Sequence, residues 1–162
     1  MTIAEMLLVA AVLILVVAAV FDLVTMEIPD TLPIALLAIV SAYWIATPGP
    51  GIWSPVAAFG TMLAIGLFLF ARGWMGGGDI KLLVALAPLP GLQGLPLLLA
   101  VIAIAGGLLA VVMMTVRSGL HRRATDPMSL PQVLRRDAPL PYAVAIACGA
   151  GFWAWRMGLF PG

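Results

Sequence analysis

From Met6 to Met26 the chain holds 21 residues of which only Asp22 and Thr25 are polar, enough to cross the hydrocarbon core of a bilayer as one helix. Whatever this chain folds into must therefore be built around lipid. Its composition agrees, with 64% hydrophobic residues against 9% charged and a mean hydropathy of +1.17, which excludes an ordinary soluble domain. No basic residue precedes the run, only Glu5, so it reads as a span and not as a secretory signal peptide.

Further apolar segments follow at Leu32 to Ala46, Pro55 to Ala71, Pro96 to Val116 and Pro141 to Leu159. They are separated by the corner Glu27-Ile28-Pro29-Asp30-Thr31, by Thr47-Pro48-Gly49-Pro50-Gly51, and by a polar segment from Arg117 to Asp137, each rich in helix-stopping or polar residues. Ile80 to Ala87, bounded by Gly76-Gly77-Gly78-Asp79 and Pro88-Leu89-Pro90-Gly91, is too short to cross straight. The expected fold is all-α, a polytopic integral membrane protein of about six transmembrane helices with a short or broken fourth. It forms a single membrane-embedded domain over residues 1–162, with a basic loop at 117–140.

Six crossings put the connections after spans one, three and five on one side, and that side collects Arg72, Lys81, Arg117, Arg122, Arg123, Arg135 and Arg136. Only Arg156 falls opposite. The positive-inside rule then assigns the first side to the cytoplasm and both termini to the periplasmic side of an inner membrane. Trp44, Trp53, Trp74, Trp153 and Trp155 lie near span ends, where indoles form an interfacial belt. The net charge of +1 offers no field for nucleic acid. The lone Cys148 reads as a small core filler, and with one cysteine and one histidine, His121, neither a disulfide nor a Cys- or His-based metal site is in view. No metal or cofactor is called for.

An ionisable side chain at membrane depth costs about 2.5 to 3.5 kcal/mol near a span centre, so each one asks for a reason. Asp22 lies inside the first run and Asp79 opens the fourth segment. Two intervening spans return the chain to the face it left, so both carboxylates belong to the same side of the membrane. Two carboxylates in one low-dielectric site share a proton and titrate as a unit. One can then activate a water while the other donates to a peptide oxygen or leaving nitrogen. Gly76, Gly77 and Gly78, without Cβ atoms, leave room for a substrate backbone and permit positive φ. A small residue, glycine, is expected before the bond that is cut.

Phe21-Asp22 with Glu27-Ile28-Pro29-Asp30, together with Met75-Gly76-Gly77-Gly78-Asp79-Ile80-Lys81-Leu82-Leu83, resembles the type IV prepilin peptidases, membrane aspartic proteases with a Gly-x-Gly-Asp motif. Leu140-Pro141-Tyr142-Ala143 resembles their entry into the final helix. The resemblance implies that Asp22 and Asp79 are the catalytic pair. It also implies a prepilin substrate, whose short basic leader is removed ahead of an apolar N-terminal helix. Larger members carry an amino-terminal extension with paired cysteines and N-methylate the new terminus. This chain opens directly at its first span, so the expectation is a peptidase without methyltransferase activity, like the short enzymes serving Flp or Tad-type pili. Where the family usually has Asn after Ile-Pro, Asp30 stands here, able to cap the next helix through its side chain.

The remaining charged residues have plainer readings. Lys81, two positions after Asp79, does not face it on a helix and either snorkels to headgroups or touches substrate. Glu27 and Asp30 are expected to be solvated and able to meet a basic leader. The arginine loop serves topology and contact with anionic membrane lipids. Intramembrane carboxylates also mark ion pathways, so a small proton-coupled transporter is the competing reading, and a noncatalytic scaffold a third.

Overall fold

Thr2 opens the first helix with a reciprocal cap. Its hydroxyl accepts from the Glu5 N–H at 3.2 Å while the Glu5 carboxylate accepts from the Thr2 N–H at 2.9 Å, satisfying two donors that a helix start leaves bare. From there α1 runs Ile3–Thr25, followed by α2 (Thr31–Ala46), α3 (Trp53–Ala71), α4 (Gly77–Leu86), α5 (Gly91–Arg123) and α6 (Tyr142–Arg156). The computed structural model describes residues 1–47, 51–123, 131–135 and 138–158. Pro48 to Pro50, Arg136, Asp137 and Leu159, which figured in the expected boundaries, lie outside the described residues. The protein is all-helical and polytopic, with α1, α3 and α5 long and apolar enough to cross a membrane and α2 shorter but equally apolar.

Each long helix shows the core one stripe. On α1 the buried positions Leu8, Ala11, Leu15, Ala18 and Asp22 recur every three or four residues, the spacing of a single helix face. Asp22 therefore points where the core points. Pro33, Leu36, Val40 and Tyr43 do the same on α2, and Pro55, Ala58, Met62 and Gly66 on α3. Lipid is as apolar as leucine, so van der Waals packing and interhelical hydrogen bonds hold these helices together, and small residues allow the close approach that both need. Ala11, Ala18 and Ala19 of α1 supply it, with Ala143, Ala145, Ala150 and Ala154 on α6, the helix against which α1 packs.

The fourth helix differs from the rest. Its 10 residues span about 15 Å, and Ile80 and Leu82 through Leu86 are all buried, so it is surrounded. Its neighbours are α2, α3 and α6. The turn that follows reaches the far pole. There Pro88 accepts a hydrogen bond from Trp44 Nε1 at 2.6 Å, and the Leu92 N–H donates to Ser54 Oγ at 3.0 Å. Helix α4 and its turn thus bring the chain to the pole where α2 ends and α3 begins.

Several expectations need correction. The fifth helix starts at Gly91, five residues before Pro96, because Ser54 from another helix caps it and Gly91 adopts the left-handed φ of 64° that the turn requires. It also runs on through Arg123, so the loop expected from residue 117 begins later. Cys148 is exposed on the outer face of α6 and fills no core. Trp153 is packed inside at 8% exposure and Trp44 is half-buried, whereas Trp53, Trp74 and Trp155 are exposed as an interfacial belt requires.

Gly66 sets how closely α3 and α4 approach, since a Cβ there would lie 2.6 Å from Ile80 Cγ2, an atom on a stiff β-branched side chain. Gly66→Leu is expected to destabilise the protein by about 1 to 3 kcal/mol through overpacking. Thermal unfolding in detergent checks this, and an unchanged transition would show that the two helices are not held at this distance.

Candidate active site

Asp22 is the last residue of the α1 core stripe and is 7% exposed. Its Oδ2 accepts from the backbone N–H of Ala143 at 3.1 Å. A carboxylate at a helix N-terminus satisfies a bare donor and meets the positive end of the helix dipole. The aspartate is held inside the protein by α6 and does not snorkel to the surface.

Asp79 occupies the first turn of α4, whose N-cap is Gly76, and no side chain caps that helix. Capping is therefore not its role. One of its oxygens, Oδ1, is buried without a hydrogen-bond partner among the described residues. Such an atom is costly unless something else uses it. Asp22 and Asp79 line a common cavity of about 640 Å³ and interact electrostatically.

Of the two uses expected of the glycines, positive φ is not made. None of Gly76, Gly77 and Gly78 has positive φ. Their use is space, because a Cβ on Gly78 would meet Ile28 Cβ at 3.1 Å and one on Gly76 would meet Asp79 Oδ2 at 3.3 Å. Bare backbone at Gly78 lets the Glu27 to Asp30 corner close down on the start of α4, and bare backbone at Gly76 leaves room for the carboxylate. All three also line the cavity.

Lys81 does not pair with Asp79. Its Nζ meets Asp30 Oδ1 at 2.6 Å, a half-exposed ion pair joining α4 to the corner after α1. Asp30 consequently makes no side-chain cap on α2, contrary to the sequence expectation, because its carboxylate is taken by the lysine. Glu27 remains exposed as expected. Glu27, Asp30 and Lys81 all border the same cavity.

Sequence reasoning missed two contributors. Ala143 acts through its backbone N–H, which no side-chain pattern reveals. Arg117, counted only for topology, is 8% exposed and donates to the carbonyls of Val133, Ala138 and Pro139, with Nη1 at 2.7 Å from Ala138 and Nη2 at 2.8 Å from Val133. It gathers the segment that leads into α6, and thereby the N–H that holds Asp22. The signal available was a single arginine at the end of a long apolar run.

A protein-family model described as the type IV leader peptidase family matches residues 9–111, which include both aspartates and the glycine motif. The chain belongs to the type IV leader peptidase family. It is a membrane-embedded protease, and the family implies a prepilin substrate. No curated protein and no solved structure matched.

Because Arg117 donates to three backbone carbonyls at once, Arg117→Ala is expected to cost about 1.5 to 3 kcal/mol or more, the worth of hydrogen bonds to a charged group. It should also expose residues 131–135 and 138–140 to protease. Limited proteolysis in detergent checks this, and a wild-type pattern in the variant would remove Arg117 from the support of α6.

Proposed function

We propose that this leader peptidase is an aspartic endopeptidase, with Asp22 and Asp79 as its catalytic pair, that removes the short basic leader of Flp-type prepilins. The observation that carries the reading is the convergence of both carboxylates on one glycine-bordered cavity at a single pole. Water held between them loses a proton to the ionised member as its oxygen attacks the scissile carbonyl carbon. The protonated member hydrogen-bonds the carbonyl oxygen. Collapse of the tetrahedral intermediate breaks the C–N bond, and the departing nitrogen takes up a proton. Such a pair is complete acid–base machinery without a metal or organic cofactor.

The pole that carries the cavity faces the cytoplasm of a bacterial inner membrane in this reading, and both termini face the periplasm. Support comes from the seven basic residues that lie in or beside the connections on that side, against Arg156 opposite. Gly76, Gly77, Gly78 and Lys81 border the substrate's path, and four acidic residues among the cavity lining favour a basic leader.

Asp22→Asn keeps an oxygen to accept from Ala143, and Asp79→Asn keeps the shape of its carboxyl. Each variant is expected to melt within about 4 °C of wild type while losing about 10²- to 10⁴-fold in cleavage rate. Cleavage of purified prepilin in detergent measures this. Full activity in either variant removes that residue from the mechanism, and inhibition by a chelator would point to a metal instead.

Backbone approach over the glycines restricts the residue before the cut. Replacing a glycine there by leucine in the substrate should lower kcat/KM by at least about tenfold. Equal cleavage of both substrates would remove the glycine motif from specificity.

A further inference from the structure

Helices α2 and α3 each pack on α4, and α4 floors the space between them. That space is a trough from pole to pole. Its outer half, about 430 Å³, is lined by Leu37, Ile45, Val56 and Phe59 among others. Its inner half, about 260 Å³, shares Leu37 and Phe59 with the outer one and shares Asp30 and Lys81 with the aspartate cavity. Ile45 is 87% and Val56 51% exposed. Ser41, also on this wall, donates its hydroxyl to the Leu37 carbonyl at 2.7 Å, so the trough presents no unsatisfied hydroxyl to lipid.

We propose that this trough seats the apolar helix that follows the leader in the substrate, so that the scissile bond lies over Asp22 and Asp79. This rests on the prepilin reading above. Two observations select the occupant. The trough meets the acidic cavity at the Asp30–Lys81 ion pair, which borders both, and since Asp22, Glu27, Asp30 and Asp79 stand against Lys81 in that cavity, the wall runs from acidic to apolar, complementary to a ligand that runs from basic to apolar. The length also fits, since the 16 residues of α2 that form one wall measure about 24 Å, most of the hydrocarbon thickness a substrate helix must cross. An apolar helix laid in an apolar groove reads its neighbours at three- and four-residue intervals, the spacing of Leu37, Ser41 and Ile45. A lipid chain would need no connection to the carboxylates.

The experiment places a photo-crosslinking amino acid at Ile45 or Val56 of the full chain, with Ile104 as a control that is 66% exposed on α5. A prepilin bearing a basic leader and an apolar helix is supplied in lipid vesicles, and cleavage by the unmodified enzyme is measured in parallel. Crosslinks from positions 45 and 56 to the substrate's apolar helix, well above those from 104, are expected. Val56→Trp should raise KM for this substrate about tenfold with little change in kcat, and should leave cleavage of a peptide lacking the helix unaltered. Normal cleavage combined with equal crosslinking at 104, or with adducts only to lipid or to a second copy of the enzyme, overturns the trough while leaving the peptidase intact. Absence of cleavage by the unmodified enzyme overturns the peptidase reading and the trough with it.

Discussion

A single hydrogen bond, from the Ala143 N–H to Asp22 Oδ2, reconciles a buried carboxylate with a fold made for lipid. Isolated in hydrocarbon the side chain would cost several kcal/mol. Placed at the start of α6 it meets a donor that has no partner within its own helix and the positive end of the helix dipole. The same bond ties α1 to α6, and the buried alanines on both helices permit the close approach it needs. Arg117 continues the dependence outward. By collecting the carbonyls of residues 133, 138 and 139 it fixes the route by which the chain enters α6.

The second carboxylate is positioned by a different device. Asp79 has no counterpart of the Ala143 bond at its buried Oδ1. It is placed by where α4 begins, and α4 begins where the Glu27 to Asp30 corner lets it. Ile28 rests on the bare backbone of Gly78, and Asp30 holds Lys81 one turn further in. An exposed ion pair of this kind contributes at most about 1 kcal/mol, so it does not hold the corner alone. The two motifs that stand 51 residues apart at Asp30 and Lys81 are therefore one structural unit.

Helix number, their order and the pole shared by the two aspartates were legible because each depends on local periodicity or on counting crossings. Asp22 lies in register with Leu8, Ala11, Leu15 and Ala18, so its burial was written into the three-and-four spacing. What could not be read depends on partners distant in sequence. Hydropathy sees Pro96 as a start, but Ser54 caps α5 at Gly91. It sees Arg117 as the end of a helix, although helix and lipid boundaries need not coincide, and 33 residues make about 50 Å of helix against a core of about 30 Å. Asp30 looked like a cap because local chemistry favours one, until Lys81 claimed the carboxylate. Cys148 and Trp153 exchanged their expected places because the face that α6 turns inward is decided by α1 and α5.

The unequal helix lengths have a common cause. A fourth helix of only 10 residues cannot reach both membrane surfaces, so either its start or its end must lie at depth. Trp44 and Ser54 engage the chain immediately after α4 at the far pole, which leaves the start of the helix recessed from the near one. Recession opens the cavity between the α1 to α2 corner and the entry to α6, and carries Asp79 toward Asp22. The same short helix floors the apolar trough between α2 and α3, which meets the acid-lined cavity at Asp30 and Lys81. Under the proposed reading, a substrate cut where a basic segment meets an apolar one finds those two environments side by side.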